Sequence, residues 1–374
     1  MLRLVPLSLL LLAGCRADAP PAVAPVPVGD ARAAAPAPDA PAGELRLQLP
    51  TSNRALLDGR PDRFYMGLNR TIDSLREERW EGGQYGFVRD PVPTLFGSKT
   101  FRRVHEGLDI APLYRDAAGE PQDTVRAIGA GRVAFANTSA GASSYGRYVV
   151  VEHRWSDSPV YSLYAHLDSV GVDVGDTLAG GAPLGRMGYT GRGLGRDRAH
   201  VHLEIALLLN EYQPAWFEQY MGGANIHGRF FGTNLAGVNP AELFLALERD
   251  PTLTFADFVR SRDEAYVVDL PGDRPLDLLT RYPWLGEGVT ATDTSAAGAW
   301  RLAFTQEGVP IRVERTDTPV TQPTVDGVSL MLMLTDGSTN RLLHRETVWR
   351  YVPSRRGTSY FALIATTAEG APAW

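Results

Sequence analysis

The 374 residues carry 37 Lys plus Arg against 43 Asp plus Glu, a formal net charge of −6. That mildly acidic balance excludes the basic footprint of a nucleic-acid binder. The single cysteine, Cys15, excludes a thiolate-rich zinc site and leaves only imidazole and carboxylate as ligands for such an ion.

The first fifteen residues, MLRLVPLSLLLLAGC, pass from Arg3 through an apolar run to Leu12–Ala13–Gly14–Cys15, small residues ending on the cysteine. The run is too short to span a bilayer as a mature helix, so residues 1–15 read as a targeting segment outside the fold. They resemble a bacterial lipoprotein signal and lipobox. That resemblance implies export, a lipid on Cys15 and attachment to the cell envelope facing the periplasm. Arg16, in place of an aspartate retention residue, favours the outer membrane. The rest of the chain is free of cysteine, which suits an oxidising compartment. Of residues 16–43, 18 of 28 are Ala or Pro, a composition that cannot bury enough surface to fold and favours extended chain. At about 3.1 Å per residue this linker reaches on the order of 85 Å.

Residues 44–84 are expected as an extension packing on a domain that spans 85–250. From Val125 to Gly191, β-rich runs such as VRAIGAGRVAFA, GRYVVVEHRW and PVYSLYAHL alternate with Gly and Asp punctuation, the pattern of a mainly antiparallel sheet. In HVHLEIALLL, alternation sends His200, His202 and Glu204 to one face and Val201, Leu203 and Ile205 to the other, into a core. Residues 208–237 break the rhythm with aromatics and a short helix, and read as an insertion flanking a site. After Pro251 the β character returns in AYVVDLP, AWRLAFTQEGVPIRVERTD and SYFALIATT, predicting a β-sandwich-like C-terminal domain over 251–374. The fold class is therefore mainly β.

Chemistry concentrates in three short clusters: His105 and Asp109 in HEGLD, His166 in LYAHLDS, and His200 and His202 in HVHLEI. Four of seven histidines fall there. A catalytic zinc site needs three protein ligands and one open position. His105, Asp109 and His202 meet that need, leaving His166 and His200 for proton chemistry. His153 reads as a packing or outer residue, His227 and His344 as surface residues, and Glu204 as a group that orients a ligand. Arg192, Arg196 and Arg198, on the loop before HVHLEI, offer guanidinium groups for substrate carboxylates, although a solvated loop explains them more simply.

The span from about Tyr85 to Leu247 resembles the lysostaphin-type (LytM-like) zinc metalloendopeptidases that cut peptidoglycan cross-links. YGFVRDP, HEGLDIA, VRAIGAGRVAFA, YGRYVVVEHRW, LYAHLDS, VGDTLAGGAPLGRMGYTG, HVHLEI and GVNPAELFLAL follow in that family's order. The family usually passes from the last histidine strand to the closing segment within a few residues, so residues 208–237 depart from it. The resemblance implies Zn2+ held by His105, Asp109 and His202, with His200 and His166 as paired catalytic histidines; the sequence does not divide base from oxyanion stabiliser between them, and His200 is taken as the base and His166 as the stabiliser. It implies peptidoglycan stem peptides as substrate. The alternative it leaves is a non-enzymatic wall-associated scaffold that activates another hydrolase, with the C-terminal domain available to a protein partner.

Overall fold

The computed structural model describes residues 45–68, 78–93, 99–329, 342–347 and 350–374. The signal-like segment, Cys15 and the Ala/Pro linker lie outside the described residues. Among the described residues no helix is long and apolar enough to cross a membrane.

The chain enters through a short helix, α1 (Pro61–Phe64), that seats Phe64 and Tyr65 in the core. A hairpin of β1 (Gly86–Pro93) and β2 (Lys99–His105) follows. The main sheet collects β3 (Leu108–Ile110), β4 (Thr124–Arg126), β5 (Gly131–Asn137), β6 (Arg147–Trp155), β7 (Ser158–Val170), β8 (Thr177–Leu178), β9 (Pro183–Met187), β10 (Val201–Leu208) and β11 (Leu235–Val238). It is antiparallel, in the order β11-β10-β7-β6-β5-β8, with β3 on β10 and β9 on β4 and β7.

Every residue of β10 is buried. Val201, Leu203, Ile205 and Leu207 enter the main core with Val149, Val151 and Tyr164, while Ala206 and Leu208 join a second cluster on the opposite face with Tyr148, Tyr161 and Phe230. Full burial of such an aliphatic side chain contributes roughly 1.5–3 kcal/mol, so the register of this strand is firmly held. That register aims its two imidazoles.

The insertion supplies α2 (Gln213–Tyr220), two single-turn 3-10 segments, and β11. Leu208 is the last residue of β10 and pairs with Leu235, so the ends of 208–237 are sheet and the irregular part runs from 209 to 234. Helix α3 (Pro240–Arg249), capped by the Asn239 side chain, closes the region. Beyond it lie α4 (Phe255–Arg260), β12 (Tyr266–Pro271), α5 (Asp277–Arg281), β13 (Ala299–Phe304), β14 (Pro310–Thr316), β15 (Thr324–Val328), β16 (Leu343–Arg345), β17 (Tyr351–Pro353) and α6 (Arg355–Ile364). Strands β14-β13-β12-β15 form a four-stranded antiparallel sheet and β16–β17 a separate hairpin.

This C-terminal part is fastened to the end of β10. Arg281 donates to the carbonyls of Leu208 and Leu209 at 3.1 and 2.7 Å, and the Leu208 amide donates to Tyr282 Oη at 2.8 Å. Asn210 Nδ2 reaches the carbonyls of Ile364 and Thr366, and Trp216 Nε1 that of Ser359. One apolar core runs through both parts, from Val151 and Leu203 to Phe304 and Phe361.

Candidate metal centre

Three strand segments bring the site together. Asp109 on β3 stands opposite His202 on β10 in register, and His202 stands opposite Ala165 on β7. The close approach of the HEGLD turn to β10 depends on Gly107: a Cβ there would lie 2.2 Å from the Leu203 carbonyl oxygen. The N-terminal extension fixes β3 from its other edge, with Met66 N–H donating to the Asp109 carbonyl and Ala111 N–H to that of Phe64, both at 2.8 Å.

His105 Nε2, His202 Nδ1 and Asp109 Oδ1 form a triangle with edges of 3.0 Å. All three side chains are buried, and together they form a His/Asp group able to hold a metal ion. A tetrahedral ion with ligands at about 2.0–2.1 Å separates them by about 3.3 Å, so the triangle has the size for such an ion. The chemistry of the donors fits as well. His105 Nδ1–H donates to the Gln84 carbonyl at 2.6 Å, which leaves Nε2 bare in the neutral ring. His202 Nε2 lies 2.8 Å from Glu204 Oε1 and so takes that ring's proton. Two nitrogen atoms and a carboxylate oxygen then point at one another, an arrangement that either a proton on His202 Nδ1 or a metal ion satisfies.

Asp109 and His202 are held toward their charged forms, and His105 toward its neutral form. Burial works against the Asp109 carboxylate, yet the facing imidazoles of His105 and His200 outweigh it and hold the carboxyl well below its usual range. Burial likewise opposes charge on His202, but bonds to Asp109 and Glu204 push it up to about 10. Burial lowers His105 despite the neighbouring Asp109.

His200 and His166 stand beside the triangle. His200 Nε2 lies 3.2 Å from Asp109 Oδ1, and its Nδ1–H donates to the Arg198 carbonyl at 2.7 Å. His166 packs edge-on against His200 with ring centroids 4.6 Å apart, and its Nδ1–H donates to the Thr190 carbonyl at 2.9 Å. The backbone of His166 has φ 63°, the left-handed region that costs a non-glycine residue of order 1–3 kcal/mol. The departure from strand geometry sits where the β6–β7 register shifts and turns the ring out of the β7 alternation toward His200. Burial, and then His200 and His202, keep His166 well below the ordinary imidazole range and therefore neutral.

The five residues named from sequence are thus neighbours. Apart from Glu204, their supports have no signature in the sequence motifs. Arg89 on β1 donates to Asp109 Oδ2 at 2.5 Å, leaving Oδ1 for the triangle. Tyr145 donates to Glu204 Oε1 at 2.8 Å. Gln84, Thr190 and Arg198 act through backbone carbonyls, which no side-chain pattern reveals.

The remaining histidines lie elsewhere. His153 is buried in the main core against Trp155, and His344 is exposed on β16. His227 is half-buried, and its Nδ1 meets Tyr148 Oη at 2.6 Å. Of the loop arginines, Arg196 pairs with Glu120 at 3.6 Å, whereas the Arg198 Nε is buried without a hydrogen-bond partner.

Residues 103–214 match Peptidase family M23. The chain carries an M23 peptidase domain. The matched span contains His105, Asp109, His166, His200 and His202, and leaves Arg89 and the C-terminal part outside it. Among solved structures, the catalytic domain of the antimicrobial peptidase lysostaphin from Staphylococcus simulans is similar at 18% identity and TM-score 0.27, covering 44% of this chain and 96% of that one. A zinc containing peptidase from Vibrio cholerae is similar at 24% identity and TM-score 0.24, over 38% of this chain and 36% of that one. A chain of the SpoIIQ–SpoIIIAH pore forming complex is similar at 17% identity and TM-score 0.29, over 56% and 98%. No curated protein matches the chain.

Proposed function

We propose that the M23 domain is a zinc-dependent endopeptidase that hydrolyses peptide cross-links of bacterial peptidoglycan. The convergence of His105 Nε2, His202 Nδ1 and Asp109 Oδ1 carries this reading, because three buried donor atoms of the types zinc prefers meet at the spacing of one ion. When bound there, zinc acidifies water and polarises a carbonyl.

The chain's own residues do the rest. The carbonyls of Arg198 and Thr190 accept the Nδ1–H of His200 and His166, so the neutral form of each ring presents a bare Nε2. His200, whose Nε2 is 3.2 Å from a corner of the triangle, is the base that takes a proton from water. His166, the next ring out, stabilises the oxyanion of the tetrahedral intermediate: its Nε2 takes over the proton that His200 removes from water, donates it in a hydrogen bond to the oxyanion and releases it to the leaving amine. Arg89 and Glu204 hold Asp109 and His202 in place. The lipoprotein-like N-terminus supports a protein tethered by lipid on Cys15 to the periplasmic side of the envelope, outer membrane preferred, with the linker giving reach to wall stem peptides.

The test is digestion of purified peptidoglycan sacculi by zinc-loaded protein, with products followed by mass spectrometry. Shortened muropeptides that disappear with a chelator are expected. Intact cross-links after digestion of several wall types would overturn the enzymatic reading and leave the non-catalytic scaffold.

A further inference from the structure

We propose that the insertion, residues 209–234, braces the metal centre: its turn at Gly232 holds Tyr145 against Glu204, and Glu204 in turn fixes His202. The proposal rests on the reading of His105, Asp109 and His202 as metal ligands, and it gives a role to the segment that departs from the family's spacing.

Glu204 Oε1 is the pivot. That one oxygen accepts from His202 Nε2–H at 2.8 Å and from Tyr145 Oη–H at 2.8 Å. A carboxylate on the far nitrogen of a ligating imidazole fixes its tautomer and rotation and raises its basicity toward the ion. Tyr145 decides where that carboxylate sits. Burial, and then the charges of Glu204 and Glu106, push the Tyr145 phenol well above its usual range, so it remains a donor.

The insertion in turn decides where Tyr145 sits. A Cβ on Gly232 would come within 2.9 Å of Tyr145 Oη. Gly232 is not among the residues in the left-handed conformation, so a Cβ there would not strain the backbone but would press on the tip of the phenol. The insertion grips the neighbouring ring too. Tyr148 packs against Tyr145 at 5.3 Å between centroids, and His227 Nδ1 meets Tyr148 Oη at 2.6 Å. Phe230 anchors the turn on the sheet face against Phe135 and Tyr161, at 5.9 and 5.5 Å. The backbone adds one more link, since the Tyr145 carbonyl accepts the His166 N–H at 2.9 Å. Tyr145 therefore touches the support of the metal ligand and the backbone of the paired histidine at once. Tyr145, Glu204 and Gly232 are positioning residues; none of them offers an atom to the triangle.

The experiment compares zinc affinity, by competition with a chromogenic chelator, in wild type, Tyr145→Phe, Gly232→Ala and Glu204→Gln, together with the melting temperature of each protein after metal removal. Loss of an outer partner of a metal ligand typically weakens binding by about 10–100-fold. Glu204→Gln is expected at the upper end of that range, with Tyr145→Phe and Gly232→Ala at the lower end. Tyr145→Phe adds no atoms, so its metal-free melting temperature should stay within a few degrees of wild type, and it decides the matter even where Gly232→Ala folds poorly. Wild type that binds one zinc, with Tyr145→Phe equally tight, would overturn the brace and leave the metal reading intact. A merely structural part for Tyr145 would show in the same way, as a lower metal-free melting temperature at unchanged zinc affinity. Wild type that binds no zinc would overturn the metal reading and the brace with it.

Discussion

Two buried histidines of the same sheet, His153 on β6 and His202 on β10, have opposite hydrogen-bond arrangements. His153 Nδ1 meets the Ala130 carbonyl at 2.8 Å and its Nε2 meets Ser162 Oγ at 2.7 Å. The chain runs on through Tyr164 Oη, 2.9 Å from Ser162, to the Ile128 amide at 2.8 Å. Every polar atom there has a complementary partner. Around His202 one ring nitrogen faces two acceptors, His105 Nε2 and Asp109 Oδ1, so a proton or a metal ion must sit among them. The first cluster is a strut of the core, and the second is a binding site for one of these cations. Burial of a histidine does not separate the two; the count of protons against lone pairs does.

The largest effect that would break this comparison is loss of the ion. Zinc at roughly a thousand times its dissociation constant should stabilise the wild type by about 4 kcal/mol. His202→Ala should gain nothing from zinc in the same thermal unfolding assay, and an equal gain in both would place the ion elsewhere. His153 supplies the next effect, and it runs on pH. Burial lowers the His153 pKa from 6.5 to about 4 in the folded protein. Between these values the unfolded chain binds the proton and the folded chain does not. The contribution is thus present above about pH 6.5 and is lost as pH falls toward 4, amounting to about 3 kcal/mol. Urea unfolding of the chelated protein across that window should show this slope, and His153→Leu should flatten it.

Smaller substitutions sharpen the same contrast. Ser162→Ala leaves His153 with an unpaired nitrogen and should cost about 1–3 kcal/mol of stability, with zinc affinity unchanged in chelator competition. Arg89→Met acts at the other cluster, and its readout is zinc affinity. It should weaken zinc by about 10-fold, or about 1.4 kcal/mol, through a freed Asp109 carboxylate. Zinc binding altered by Ser162→Ala, or untouched by Arg89→Met, would blur the distinction.

What the sequence made legible follows from local geometry. The alternation in HVHLEI places His200, His202 and Glu204 on one face because strand side chains alternate, and the four-residue separation of His105 and Asp109 in HEGLD fits the turn from β2 into β3. The supports escaped because they depend on contacts across long stretches of chain. Arg89 reaches Asp109 only because the β1–β2 hairpin folds over β3, and Tyr145 meets Glu204 across 59 positions. Backbone acceptors such as Gln84 and Thr190 have no signature in residue type. The strands after Pro251 were legible as strands, but periodicity does not reveal that Arg281 and Asn210 would tie that region to the end of β10. The positive φ of His166 was equally hidden, since it is imposed by the sheet around it.

The most direct measurement is anomalous scattering at the zinc absorption edge from crystals of the zinc-loaded protein. One peak per chain is expected, about 2.0–2.2 Å from His105 Nε2, Asp109 Oδ1 and His202 Nδ1, with His202 Nε2 still bonded to Glu204. A peak held through His202 Nε2, or one away from this triangle, would contradict it.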